Sequence, residues 1–286
     1  MHVRTSSRAR RSPSGFERRA RAFRHLLAAP IALLFLLPVW FLLVGSLRPA
    51  GIAPARTVQW LPASPAWANL WAVFDVVPLG RYALNSILVA TVAVPVSCVV
   101  ASCAGFAIAR LPSRSRTLLI GLCVIVLMIP PTSLLVGRVS VFRWLGLTDT
   151  PFPLMAPALI GMSPLFVLLF AWSFWRLPED LFDLAKGFGM SVWQTWWRIA
   201  MPHVRPITGA VAALSFLISW GNFLDPLIYV YDERWFTLPL GLRSLSTLNP
   251  TDQPLMLAGA LIACAPVVVV FGLLQRRTLG ADREDR

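Results

Sequence analysis

Residues 178–206 read PEDLFDLAKGFGMSVWQTWWRIAMPHVRP, and this stretch decides the fold. It carries acidic and basic groups and lies between two long apolar runs, so it cannot itself cross a hydrocarbon layer. Gly189 near its middle and Pro202 and Pro206 at its end divide it into a short helix, a turn and a second helical piece in water. Residues 180–188 supply two helical turns with Leu181, Leu184 and Ala185 on one face. Glu179, Asp180 and Asp183 stand near the start, where the helix dipole favours acid, and Gly189 follows the last turn as a C-terminal glycine does. Beyond it, Trp193, Trp196 and Trp197 fall at i, i+3 and i+4 and form a broad aromatic face. Such a segment grips something outside the apolar layer. A partner protein and the lipid interface both fit the residues.

Working outward, six apolar segments of about 20 residues stand near 26–47, 84–109, 117–137, 154–175, 204–224 and 255–275, each long enough to cross a core of roughly 30 Å. The chain is only 14% charged, against about 25% for soluble domains. The composition predicts an all-α integral membrane protein with a basic arm at 1–25, a six-helix domain at 26–275 and a tail at 276–286. Residues 26–47 are too long for a signal-peptide core of 7–15 residues, so the first run reads as an uncleaved span. With six spans both termini share a side. That side holds nineteen of the 26 Lys and Arg residues, which places both termini in the cytoplasm. The net charge of +13 is spread along those edges, which topology explains without nucleic acid; the arm at 1–25 suits anionic lipid. Cys98, Cys103, Cys123 and Cys264 lie inside spans with no CxxC pair, and His2, His25 and His203 are scattered, so no metal site is expected.

The spans contain no Asp, Glu or Lys, which argues against an ion-coupled secondary transporter, a class that needs charge at depth. Ser133, Ser163 and Ser219 have no His or Lys at similar depth, which argues against an intramembrane hydrolase. Lys186 is the one lysine and follows no phosphate loop, so the chain does not hydrolyse ATP in the familiar way. Pro95, Pro130, Pro131, Pro164 and Pro266 interrupt spans, and the 130–131 pair reads as a kink shaping a central path. Ala101, Gly105 and Ala109 repeat at a spacing that lets helices approach closely. Trp60, Trp67, Trp71, Trp144 and Trp235 fall in the segments opposite the 178–206 loop, as an interfacial belt or a docking face.

The 178–206 loop resembles the signature of permease subunits of binding-protein-dependent ABC importers, roughly P-x-E-L-x-E-A-A-x-x-D-G-A followed by F-x-x-I-x-L-P-x-x-x-P. Pro178, Leu181, Ala185, Gly189, Ile199, Pro202 and Pro206 match. Asp180 and Asp183 stand for the glutamates, Leu184 for the first alanine, Phe188 for the aspartate, Trp196 for the phenylalanine and Met201 for the leucine. Asn85-Ser86, AIARL at 107–111, Leu145-Gly146-Leu147 with Asp149-Thr150, SWGNFLDPL at 219–227 and TLPLGL at 237–242 are similar to the carbohydrate-uptake, maltose-permease-like branch. The tail RRTLGADREDR departs from that branch. The resemblance implies the type I ABC importer permease fold in the cell (inner or plasma) membrane. It implies a sugar importer half paired with a second permease subunit, usually as a heterodimer. Two ATPase subunits using ATP and Mg, with no cofactor on this chain, and an extracytoplasmic solute-binding protein complete the assembly; an importer for a non-sugar solute is the alternative. Asp180, Leu181, Asp183, Leu184, Ala185, Gly189, Ile199 and Pro202 are the residues implied in coupling to the ATPase. Ser219 and Asn222, with Pro130 and Pro131, are assigned to the substrate path.

Overall fold

The computed structural model of the chain describes residues 15–51, 58–62, 64–248 and 253–284. The first 14 residues of the basic arm lie outside them. All regular structure among the described residues is helical. The chain begins with α1 (Gly15–Ser46), α2 (Asn69–Val76), α3 (Leu79–Arg110) and α4 (Ser113–Leu127). A 3-10 turn at Pro131–Leu134 leads into α5 (Leu135–Trp144), then α6 (Phe152–Met155), a 3-10 turn at Ala156–Ile160 and α7 (Pro164–Trp175). The 178–206 region supplies α8 (Glu179–Gly187), α9 (Val192–Thr195), a π-helical turn at Trp196–Ala200 and α10 (Met201–His203). It runs into α11 (Arg205–Trp220), followed by α12 (Leu224–Tyr229), a 3-10 turn at Glu233–Trp235, α13 (Leu238–Leu248) and α14 (Gln253–Glu284).

Among the described residues, four segments are long and apolar enough to cross a membrane: Ala28–Ser46, Leu79–Arg110, Phe152–Trp175 and Gln253–Gly272. Two bent pairs bring the number to six if each is one span: Ser113–Leu127 with Pro131–Trp144, turned by 83°, and Val192–His203 with Arg205–Trp220, turned by 87°. The run at 117–137 is therefore not one straight helix. Pro130 and Pro131 deny two backbone donors to the preceding turns, and α4 stops at Leu127. By contrast α3 continues through Pro95 and α14 through Pro266, contrary to the interruptions expected there. Packing along a 32-residue helix outweighs one missing hydrogen bond. The run at 154–175 is also two pieces. Gly161 and Met162 both take positive φ (78° and 62°), and Ser163 caps α7 by accepting from Leu165 N.

The centre of the bundle is α3, flanked by α7 and α11, while α1 packs against α14. The expected small-residue stripe faces α7 and the turn before it: Ala101 is fully buried, and a Cβ built on Gly105 would stand 2.6 Å from Phe170 Cβ and 2.8 Å from Ala171 N. The backbone of α7 blocks any relaxation there, so Gly105→Ala is expected to cost about 2 kcal/mol through overpacking. Gly121→Ala, in α4 with nothing within 4 Å, is expected to gain up to about 1 kcal/mol from helix propensity. Thermal unfolding followed by fluorescence size exclusion distinguishes the two. A polar node crosses the same core, where buried Ser97 Oγ donates to Gly161 O and meets Ser215 Oγ, each at 3.2 Å.

Cys98 is buried, Cys103 and Cys123 are half-buried and Cys264 is exposed, and all four are free thiols. On the end opposite the 178–206 loop, Trp40 Nε1 donates to Trp60 O, which draws the 58–62 segment onto α1.

Candidate functional site

The 178–206 loop has two faces. Pro178 precedes α8, Glu179 and Asp180 occupy its first turn, and Gly189 ends it with φ 68°. Met190 N donates to Ala185 O and Gly189 N to Lys186 O, the paired bonds of a glycine-terminated helix. Ser191 then starts α9, its Oγ accepting from Gln194 N while Gln194 Oε1 accepts from Ser191 N. A capping box of this kind fixes the second helix against the first without any external partner.

Leu181, Leu184 and Ala185 do not share one environment. Ala185 is 1% exposed, Leu181 half-buried and Leu184 61% exposed. The axis of burial runs through Phe182 and Ala185, and Phe182 packs on Phe106 and beneath Arg110 at the end of α3. The outer side carries Asp180, Asp183, Leu184, Gly187 and Phe188 around an open depression of about 590 Å³. Phe188 is 82% exposed. Asp183 accepts from Lys186 at 3.1 Å, an exposed pair of little energetic weight.

The aromatic face divides in the same way. Trp193 and Trp197 are exposed, whereas Trp196 is buried between them and the core. Ile199 and Pro202 are half-buried in the turns leading to α11. Periodicity groups these side chains by angle, and the bundle covers Trp196 while leaving Trp193 and Trp197 exposed.

The residues assigned to the path are separated. Pro130 and Pro131 are exposed at the bend after α4. Ser219 Oγ is buried near the end of α11 and makes no hydrogen bond among the described residues. Asn222 donates from Nδ2 to Asp225 Oδ2 at 2.9 Å and accepts from Asp225 N at 3.2 Å. Asp225 in turn pairs with Arg138 of α5 at 3.3 Å. This ion pair joins the second half of the first bent segment to the short helix that follows the second, a feature the sequence reading missed because each charge lies just outside an apolar run. Arg138 also lies over the Tyr229 ring, 5.6 Å from its centroid.

At the end opposite the loop, Asp149 takes φ 62° and its Oδ1 accepts from Tyr231 N and Asp232 N, while its own N donates to Tyr229 O. Tyr82 OH donates to Glu233, and Asn85 Nδ2 donates to Arg234 O and Phe236 O. The Arg234 side chain and backbone N–H both donate to Asp232, which holds that carboxyl below its ordinary range. These bonds give structural work to Asn85 and Asp149.

Among the described residues, four apolar helices and two bent pairs of membrane-spanning length define a multi-pass membrane protein. Residues 101–277 match the family described as binding-protein-dependent transport system inner membrane component, and the chain belongs to that family. It is thus a transport permease of the ABC importers and not an enzyme. The chain is 27% identical over 249 residues to the arabinooligosaccharides transport system permease protein AraQ of Bacillus subtilis, covering 86% of this chain and 88% of that protein. It is 29% identical, with the same coverage, to the permease of the same name from Halalkalibacterium halodurans. A crystal structure of a bacterial ABC transporter involved in the import of the acidic polysaccharide alginate superposes with a TM-score of 0.71 at 17% identity. That match covers 93% of this chain and 98% of the other, and it supports the type I permease fold.

Proposed function

We propose that the chain forms half of the translocation path of an ATP-driven importer for a sugar or oligosaccharide. A second permease subunit completes the path, two ATPase subunits bind the 178–206 loops from the cytoplasm, and a solute-binding protein delivers substrate to the opposite side. The termini share the cytoplasmic side with the loop. The observation that carries this reading is the outer surface of α8. Leu184 and Phe188 stand exposed beside Asp180 and Asp183 on a glycine-terminated helix face that the described residues leave uncovered. Exposed apolar side chains flanked by carboxylates suit a docking contact with a protein that has both apolar and basic groups.

Phe188 makes this contact more apolar than the family's aspartate would. The sugar class is supported by the relatives, both arabinooligosaccharide permeases. Ser219 and Asn222 are the groups proposed to meet substrate hydroxyls; Ser219 Oγ is buried without a hydrogen-bond partner among the described residues, so a change in the angle of α11 must uncover it for that role. Pro130 and Pro131 supply the bend beside the path.

The direct test is purification of the chain from its native membrane in mild detergent. Recovery of an ATPase and a second permease in stoichiometric amounts is expected. Recovery of neither, under conditions that keep a control importer intact, overturns the assignment and returns the loop to the lipid interface.

A further inference from the structure

The inner side of the 178–206 loop is as specific as its outer side. Phe182 is 2% exposed, and the guanidinium of Arg110, the last residue of α3, covers its ring at 4.1 Å. Phe182 meets Phe106 of α3 at 6.0 Å, and Phe106 meets Phe174 of α7 edge-on at 5.4 Å. Phe174 stacks on Phe170 at 5.9 Å. Gly105 lies one residue before Phe106, where the close approach of α3 and α7 leaves no slack between them. From the second half of the loop, Trp196, Ala200 and Val204 enter the same core. Close-packed interiors of this kind transmit displacement instead of absorbing it. The next element behaves differently, because α11 leaves the loop at 87° after Val204.

We propose that Phe182 and Arg110 are positioning residues for energy coupling. They clamp α8 to α3 and α7, so that a displacement received on Leu184 and Phe188 moves these three helices as one lever. The proposal rests on the reading of the loop as the ATPase-docking surface. Arg110 is exposed, so its guanidinium closes the aromatic chain from the water side, where a cation over a ring face is favourable. One short helix thus has two tasks. Its outer side chains bind, and Phe182 passes the motion on. The bend at Val204 then lets α11 change its angle to the lever during the same movement.

The test uses the complex of the chain with its ATPase in nanodiscs, with all four cysteines changed to serine. Spin labels are placed on Lys186→Cys in α8 and Arg81→Cys near the start of α3, both exposed positions. With Phe182 and Arg110 intact, one narrow distance distribution is expected, unchanged by ATP with vanadate. Phe182→Ala is expected to broaden the distribution roughly twofold on nucleotide binding as the rigid contact is lost, with ATPase still bound, and Phe182→Tyr is expected to restore it. Arg110→Gln creates no cavity and is expected to broaden it without changing the elution or melting of the complex. Distributions equally narrow in all variants, with ATPase bound, overturn the clamp and leave the docking surface standing. Retention of ATPase by Leu184→Asp together with its loss from Phe182→Ala overturns both, as does a chain with intact Phe182 that holds no ATPase.

Discussion

A chain carrying Leu184→Asp together with Phe188→Asp is expected to fold, to keep its second permease partner and to lose its ATPase. The two side chains are 61% and 82% exposed and take no part in the buried core, so their replacement leaves the bundle intact. In the complex each would enter an apolar site, where full burial of a Leu or Phe is favourable by about 1.5–3 kcal/mol. Aspartate removes that term and adds the cost of taking a carboxylate out of water without a partner. A combined loss of about 5 kcal/mol corresponds to an affinity roughly a thousandfold weaker or worse. ATPase recovery relative to the partner permease measures the effect directly. Ala185→Asp is the contrasting change. Ala185 is 1% exposed, so aspartate there strikes the bundle and is expected to reduce folded chain of every kind. Equal ATPase recovery from the double variant and the unaltered chain would move the docking surface elsewhere on the loop.

The contrast between Leu184 and Ala185 shows how far the sequence reaches. Gly189 was legible as a helix end, since a left-handed turn after an acidic-to-basic helix leaves few other readings. The Ala101–Gly105–Ala109 stripe was legible because small residues at that spacing serve close approach. The direction of Ala185 and Trp196 was not, because helical periodicity groups side chains by angle and is silent on which angle meets the bundle. The broken fourth segment was hidden for a related reason. Gly161-Met162-Ser163 sits inside an unbroken apolar run, and hydropathy measures composition rather than backbone sign. Arg138 and Asp225 are 87 residues apart, and each looks like an ordinary interfacial charge until the two bent segments place them together.

That pair yields the second large effect. Asp225 is 13% exposed and Arg138 28%, so both charges are largely withdrawn from solvent, and Asn222 adds a further hydrogen bond to the carboxylate. Removing one partner from a buried pair costs about 3–5 kcal/mol, chiefly because the other charge is left uncompensated. Partial exposure here lowers the expectation to about 3 kcal/mol for Asp225→Ala, enough to loosen the contact between α5 and α12. Asp225→Asn with Arg138→Gln removes both charges, keeps a polar group at each position and is expected to recover most of the loss, since neutral hydrogen-bonding groups need no counter-charge. Thermal unfolding of the purified complex reads stability, and uptake of a labelled oligosaccharide, once one is shown to be carried, reads function. If the pair were a passive surface bridge, Asp225→Ala would cost under about 1 kcal/mol and the double variant would recover nothing. A loss of stability in the single variant that the double variant reverses makes Arg138–Asp225 the tie that fixes the two bent segments to each other. Asn222, which donates to the same carboxylate, then depends on it for its geometry.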